Sequence, residues 1–223
     1  MTAVFLIRHP ETTWNLDQRY QGRLDAPLSK RGEEQSRRLV ASFRHSHLSA
    51  VYSSPLKRSR HLAEVLARAS GVALQIDSRL TEMAQGPWEG MTLPQIEAAH
   101  SLLYRQWYSR PELVSFPGGE DLAAVRQRTQ SALGDIFHEH SAGNIAVVTH
   151  SVVIQVLAAS ALLLDLRYLH SIRATNCSVT TICGTRAPGA LFSLNSTDAI
   201  YGSAVSSAEL NGCTTSEPRR LTS

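Results

Sequence analysis

AVFLIRHP, residues 3–10, is a strand-length apolar run that ends on an arginine and a histidine, and NIAVVTHS, residues 144–151, ends on a histidine in the same way. Both runs are continuous rather than alternating, which suits strands buried on both faces. Pro10 biases His9 away from helical angles, so the first strand is expected to stop there. The second run passes directly into an apolar helical pattern over 151–164. Parallel sheets open their crevices at the carboxyl ends of strands. His9 and His150 are therefore expected at two neighbouring strand exits, sharing one crevice.

Reading outward, SKRGEEQSRRLVASFRHS (29–46) has helical periodicity, with Ser29 as its cap and Leu39, Val40 and Phe43 facing inward. AVYSS (50–54) reads as a strand and LKRSRHLAEVLARAS (56–70) as a helix, with Leu62, Val65, Leu66 and Ala69 on one face and Gly71 ending it. VALQID (72–77) reads as a short strand. Helical patterns at about 93–108 and 121–140 are separated by the Pro/Gly-rich SRPELVSFPGGE. NCSVTTICGT and GALFSLN suggest a final hairpin turned by RAPG. The alternation predicts an α/β fold: a three-layer α/β/α sandwich with a mostly parallel mixed sheet and a small helical lid over roughly 91–121. A single domain is expected over 1–202. Residues 203–223 lack apolar periodicity and are expected to form a flexible tail.

Composition narrows the function. The 223 residues carry 22 Lys and Arg against 19 Asp and Glu, a net charge of +3 with no long basic run, which argues against nucleic acid as a partner. VVIQVLAASALLLDL (152–166) is interrupted by Gln155 and Ser160 and is too short to span a membrane, so a buried helix is expected. Three cysteines without CxxC spacing argue against a disulfide framework and fit a reducing cytoplasm. No cluster has metal-ligand spacing, so neither metal nor cofactor is expected. A homodimer is left open.

The longer stretch LIRHPETTWNLDQRYQGRLDAPLSKRGEEQ (6–35) resembles the N-terminal motif of the histidine phosphatase superfamily, the phosphoglycerate-mutase-like proteins. The resemblance continues in order through SSPLKRSRHLAE (53–64), LTEMAQGPWEG (80–90), FPGGEDL (116–122), VVTHSVVI (147–154) and NCSVT (176–180), so it runs through most of the chain. It implies that His9 is the histidine that becomes phosphorylated. Arg8 and Arg58 match the pocket arginines, His150 the second pocket histidine, and Glu82 the acid. Asn15, Gln21 and Gly22 match positions near the phosphate or the reacting oxygen. Two departures stand out. Pro10 replaces the usual glycine and removes a backbone N–H, and Ser151 stands where relatives often have glycine. Ser151 either brings a hydroxyl near the phosphate or caps the following helix.

These residue types suit phosphoryl transfer. Arginine forks match phosphate oxygens and neutralise the dianion. Neighbouring cations lower the pKa of His9 and keep a lone pair free for attack. A carboxylic acid at Glu82 supplies the proton that a leaving alkoxide needs, and as a carboxylate it then activates water. The resemblance thus implies a metal-independent phosphomonoesterase acting on a small phosphorylated metabolite. The alternatives are a 2,3-bisphosphoglycerate-dependent phosphoglycerate mutase and a phospho-ligand binding module without turnover. ETTWN and RYQG favour the phosphatase branch, as does the short stretch between Glu82 and His150, and FPGGEDL resembles α-ribazole and broad-specificity phosphatases. The remaining residues have structural readings. Trp88 is expected in packing, Tyr104, Trp107 and Tyr108 in lid packing with substrate contact as the alternative, Arg60 and Arg68 in solvent, and His45, His47, His138 and His140 on the surface. Glu11 and Glu120 are the fallback acids.

Overall fold

The computed structural model describes residues 1–197. The expected domain end at residue 202 and the tail at 203–223 lie outside the described residues. Six strands form one sheet: β1 (Thr2–Arg8), β2 (Leu48–Ser53), β3 (Leu74–Ile76), β4 (Gly143–Thr149), β5 (Val179–Gly184) and β6 (Ala190–Ser196). Their order is β3-β2-β4-β1-β5-β6. The pairs β2–β3, β2–β4 and β1–β4 are parallel, while β1–β5 and β5–β6 are antiparallel. The mostly parallel mixed sheet and the terminal hairpin are both as expected.

Register explains why the histidines meet. β1 pairs with β4 so that Arg8 lies opposite Thr149, which places His9 and His150 side by side as the next residues out. The His9 N–H donates to the Thr149 carbonyl at 2.9 Å. On the other side of β4, Ser53 lies opposite Val148 and the Ser54 N–H donates to the Val148 carbonyl at 3.1 Å. Three adjacent strands therefore end level, on His9, His150 and Ser54.

Side chains alternate across the sheet, as strand geometry requires. Val4 and Leu6 of β1 join a cluster with residues of α6 (Leu122–Glu139) and α7 (Ser151–Ala161), including Leu133 and Ile154. Ala3, Phe5 and Ile7 face the opposite way, into a cluster with Leu39 of α2 (Lys30–Ser42) and Leu62 and Leu66 of α3 (Lys57–Ser70). These two cores are the two seams of the sandwich. Truncating a fully buried leucine such as Leu62 costs about 2–5 kcal/mol by the usual cavity cost. Ser29 caps α2 by accepting from the Gly32 N–H, and Gly71 ends α3 at φ 67°, a left-handed conformation that favours glycine.

Several details differ from the reading of the sequence. The inward face of α3 comprises Arg58, Ser59, Leu62, Ala63, Leu66 and Ala67, while Val65 is half-buried and Ala69 exposed. The face is rotated because Arg58 and Ser59 turn toward the strand exits. Val40 is half-buried and packs against the core as expected. The helix expected over 93–108 breaks at His100 into α4 (Leu93–Ala99) and α5 (Ser101–Ser109). Residues 91–121, expected as a lid, meet the core through rings: Trp107 packs edge-on against Trp88 at 6.5 Å, and Phe116 against the same ring at 4.8 Å. Trp88 is fully buried, in agreement with its packing role. Cys177 is a buried free thiol. No helix among the described residues is long and apolar enough to cross a membrane.

Candidate active site

His9 sits at the exit of the central strand and is 3% exposed. Its Nδ1 lies 2.7 Å from the Pro10 carbonyl. A carbonyl only accepts, so Nδ1 carries the proton and Nε2 keeps its lone pair. Pro10 has no positive φ, and its carbonyl rather than its missing N–H makes the contact. Burial, followed by the charges of Arg58 and Arg8, holds the imidazole pKa well below 6.5. His9 is thus a neutral imidazole among cations.

The two arginines are gripped from behind. Arg8 donates through Nη1 to the Ala174 carbonyl at 2.7 Å. Arg58 donates through Nη1 to the Leu24 carbonyl at 2.6 Å and to Asp25 Oδ1 at 3.1 Å, and through Nη2 to the Gly22 carbonyl at 2.7 Å. The Nε of each arginine is buried and has no partner. Burial lowers both guanidinium pKa values, and proximity to Arg58 adds to the effect on Arg8. Asp25, which the motif reading passed over, also accepts from the Lys57 N–H at 2.9 Å. It therefore caps α3 and orients Arg58 together.

Glu82 follows a short turn tied to the end of β4, where the Thr149 hydroxyl donates to the Leu80 carbonyl at 2.7 Å. Arg128 of α6 donates to the carbonyls of Arg79 and Thr81, each at 2.6 Å. The Glu82 carboxyl accepts from the Met83 N–H at 2.9 Å and the Val152 N–H at 3.4 Å. Burial raises its pKa above 4.5, against the opposing pull of the Met83 N–H, Arg58 and Arg8. The fallback acids are engaged elsewhere. Glu11 accepts from the Ser29 hydroxyl at 2.7 Å, and Glu120 pairs with Arg128 at 2.8 Å.

His150 is fully buried, with its ring centroid 5.3 Å from that of His9. Its Nε2 lies 2.8 Å from Ser54 Oγ and 3.3 Å from Ser59 Oγ, and its Nδ1 has no partner. Burial, then Arg58, His9 and Arg8, keep its pKa well below 6.5. Because His150 itself occupies the N-cap position of α7, Ser151 is not the cap.

A cavity of about 410 Å³ joins most of these groups. Arg8, His9, Asn15, Gln21, Gly22, Arg58, Glu82 and Ser151 all line it, and His150 is fully buried beside His9. Asn15 is fixed by the Thr12 N–H at 3.0 Å and by Asn176 Nδ2 at 3.2 Å. Gln21 is buried with Oε1 unpartnered. At Gly22 a Cβ would lie 2.2 Å from Glu89 Oε1, so glycine lets Glu89 pass beneath the loop. Toward the mouth the lining becomes aromatic and amide-bearing: Trp14, Tyr20, Trp107, Tyr108, Gln155 and His170. Tyr108 was read as lid packing, yet it is 47% exposed and its hydroxyl pairs with that of Tyr20 at 2.8 Å. His170 stacks on it at 5.0 Å. His170 and Gln155 carry no motif signal, since they reach the cavity only through the packing of α7 and the turn after it.

Among the described residues, no group of three or more His, Cys, Asp and Glu side chains is arranged to hold a metal ion. The chain is 33% identical over 197 residues to phosphoserine phosphatase 1 of Hydrogenobacter thermophilus, covering 88% of this chain and 93% of that protein. It is 30% identical over 182 residues to a probable phosphoglycerate mutase, GpmB, of Salmonella choleraesuis, covering 82% and 85% of the two chains. The solved structure of Bacillus stearothermophilus YhfR superposes with a TM-score of 0.79 at 30% identity, over 86% of this chain and 94% of that one. The family model of the histidine phosphatase superfamily (branch 1) matches residues 4–197, and it is to this superfamily that the chain belongs.

Proposed function

We propose that the protein is a metal-independent phosphomonoesterase that hydrolyses a small phosphorylated metabolite through a phosphohistidine on His9. The observation that carries this reading is a set of buried donors without partners, Arg8 Nε and Arg58 Nε, near a neutral imidazole. Unpaired buried donors are costly, and a phosphoryl group would satisfy them. In the first step the Nε2 lone pair of His9 attacks phosphorus, the ester P–O bond breaks, and the departing oxygen takes the Glu82 proton. In the second step Glu82, now a carboxylate, takes a proton from water as the water oxygen attacks phosphorus. The P–N bond breaks and its electron pair returns to Nε2. The guanidiniums hold the charge spread over the equatorial oxygens throughout.

Asn15, Gln21, Gly22 and Ser151 line the phosphate end in this reading. The cytoplasmic location expected from the sparse cysteines belongs to it as well, supported by the free thiol of Cys177. The name of the Hydrogenobacter relative supports a phosphatase, while that of the Salmonella relative keeps the mutase as the second reading.

The test is turnover of p-nitrophenyl phosphate and phosphoserine with and without EDTA, set beside 3-phosphoglycerate with catalytic 2,3-bisphosphoglycerate. Phosphate release that persists in EDTA, with little 2-phosphoglycerate formed, is the expected result. Rapid formation of 2-phosphoglycerate would establish the mutase instead. Activity lost in EDTA and restored by a divalent cation would overturn the metal-independent mechanism.

A further inference from the structure

A neutral imidazole has one N–H and one lone pair, and the fold must decide which nitrogen of His150 carries which. Nε2 faces two serine hydroxyls, Ser54 at 2.8 Å and Ser59 at 3.3 Å. Ser54 Oγ already accepts from the Leu56 N–H at 3.2 Å. Its own hydrogen then needs an acceptor, and among the described residues the His150 ring is the only one within reach. If Nε2 were protonated, the Ser54 hydroxyl would receive two donors and its hydrogen would have no acceptor in a fully buried setting. With Nε2 bare, the Ser54 hydrogen is matched, and the one hydrogen left over is the Nδ1–H, which has no partner in the protein and is left for a bound phosphoryl group. Ser59 fits either way, because its hydroxyl also reaches the Thr149 carbonyl at 3.5 Å.

We infer that Ser54, assisted by Ser59, is a positioning residue that locks His150 as the Nδ1–H tautomer. His150 thereby presents a fixed, uncharged donor to the phosphoryl group. This inference rests on the reading of the cavity as a phosphoryl-transfer site. Nδ1 is the ring nitrogen without a partner, and its ring lies 5.3 Å from that of His9. The level ends of β2, β4 and β1 make the arrangement possible, because Ser54, His150 and His9 are the first residues past three adjacent strands. A donor held in place before reaction needs no reorganisation as charge builds on phosphorus.

The test reads the ring directly. In ¹⁵N-labelled, ligand-free protein at neutral pH, ring correlations assigned with His150→Gln should show a protonated Nδ1 and a bare Nε2. Ser54→Ala should move the ring toward the Nε2–H form and lower kcat on p-nitrophenyl phosphate by up to about 10²-fold, the usual loss for one transition-state donor. Its KM should change far less. Ser54→Thr, which keeps the hydroxyl, should restore both the spectrum and the rate, and Ser59→Ala should have the smaller effect. A protonated Nε2 in the unaltered protein, or a ring spectrum unmoved by Ser54→Ala, would overturn the inference. Should Ser54→Ala fail to fold, the unaltered ring spectrum and the Ser54→Thr rate decide it. Absence of any phosphatase activity would defeat the functional reading instead, since the ring spectrum is read without substrate.

Discussion

At the closed end of the cavity, His9 hangs from a strand exit, and Arg8, Arg58 and Glu82 around it are held mainly by backbone carbonyls and N–H groups. At the mouth, Trp14, Tyr20, Tyr108 and His170 come from separate segments and are held largely by one another. The inner groups are buried and fixed by sheet register, whereas the outer ones are half-exposed and rest on side-chain packing. The contrast separates two properties of one enzyme. On the proposed reading, the inner end acts on the bond that is broken and the rim on the alcohol attached to it. Substitutions at the inner end should therefore change kcat across all substrates, while substitutions at the rim should reorder substrates and leave the chemical step intact.

The sharpest way to break this contrast is His9→Ala. Loss of the nucleophile should reduce turnover on every ester by on the order of 10⁴–10⁶-fold, with the melting temperature nearly unchanged. Unaltered protein quenched in base after brief exposure to labelled substrate should carry acid-labile phosphate, and the variant none. Substantial residual activity on any ester would mean that the inner end does not act as one unit.

Glu82→Gln comes next, with an expected loss of about 10²–10⁴-fold. Because a general acid matters most for a poor leaving group, an alkyl phosphate should lose more phosphorylation rate than p-nitrophenyl phosphate. Phosphohistidine should accumulate, since its hydrolysis loses a base. The pH profile provides a second reading. His9 must be unprotonated and its pKa is lowered by burial and Arg58, so the acid limb of kcat/KM should fall below 6.5. Glu82 must be protonated and burial raises its pKa, so the alkaline limb should lie above 4.5 and be lost in the glutamine variant. Equal losses on both esters with an unchanged profile would reduce Glu82 to a shaping role.

The smallest expected effect belongs to the rim. Tyr108→Ala removes the ring on which His170 stacks and the hydroxyl that meets Tyr20. The ratio of KM values between an aromatic and a small polar alkyl phosphate should shift by about 2- to 10-fold, the worth of one aromatic contact, with kcat on p-nitrophenyl phosphate nearly unchanged. A uniform fall in kcat would erase the distinction between the two ends.

The same divide marks what could be read before folding. His9 and His150 were legible as candidates because unmistakable apolar runs end on them, and Arg8, Arg58 and Glu82 because the quoted motifs resemble those of the histidine phosphatase superfamily. Asp25 and Ser54 lay inside the quoted motifs, but their roles depend on which helix end and which ring nitrogen they meet across the fold. Gln155 and His170 had no signal and Tyr108 an ambiguous one, since aromatic and amide side chains at helical spacing look alike whether they pack or line a cavity. The rotation of α3 was missed for a related reason: a stripe of apolar residues does not show that an arginine and a serine must share the inward face.

One further consequence follows from how Arg8 is held. Its guanidinium donates to the carbonyl of Ala174, its own carbonyl accepts from the Cys177 N–H at 3.0 Å, and its N–H donates to the Ser178 carbonyl at 3.2 Å. The groups that fasten that arginine follow it by more than 160 residues in the sequence. Contacts of such long sequence separation form late in folding. The anion pocket is thus complete only once the segment leading into β5 has closed against β1.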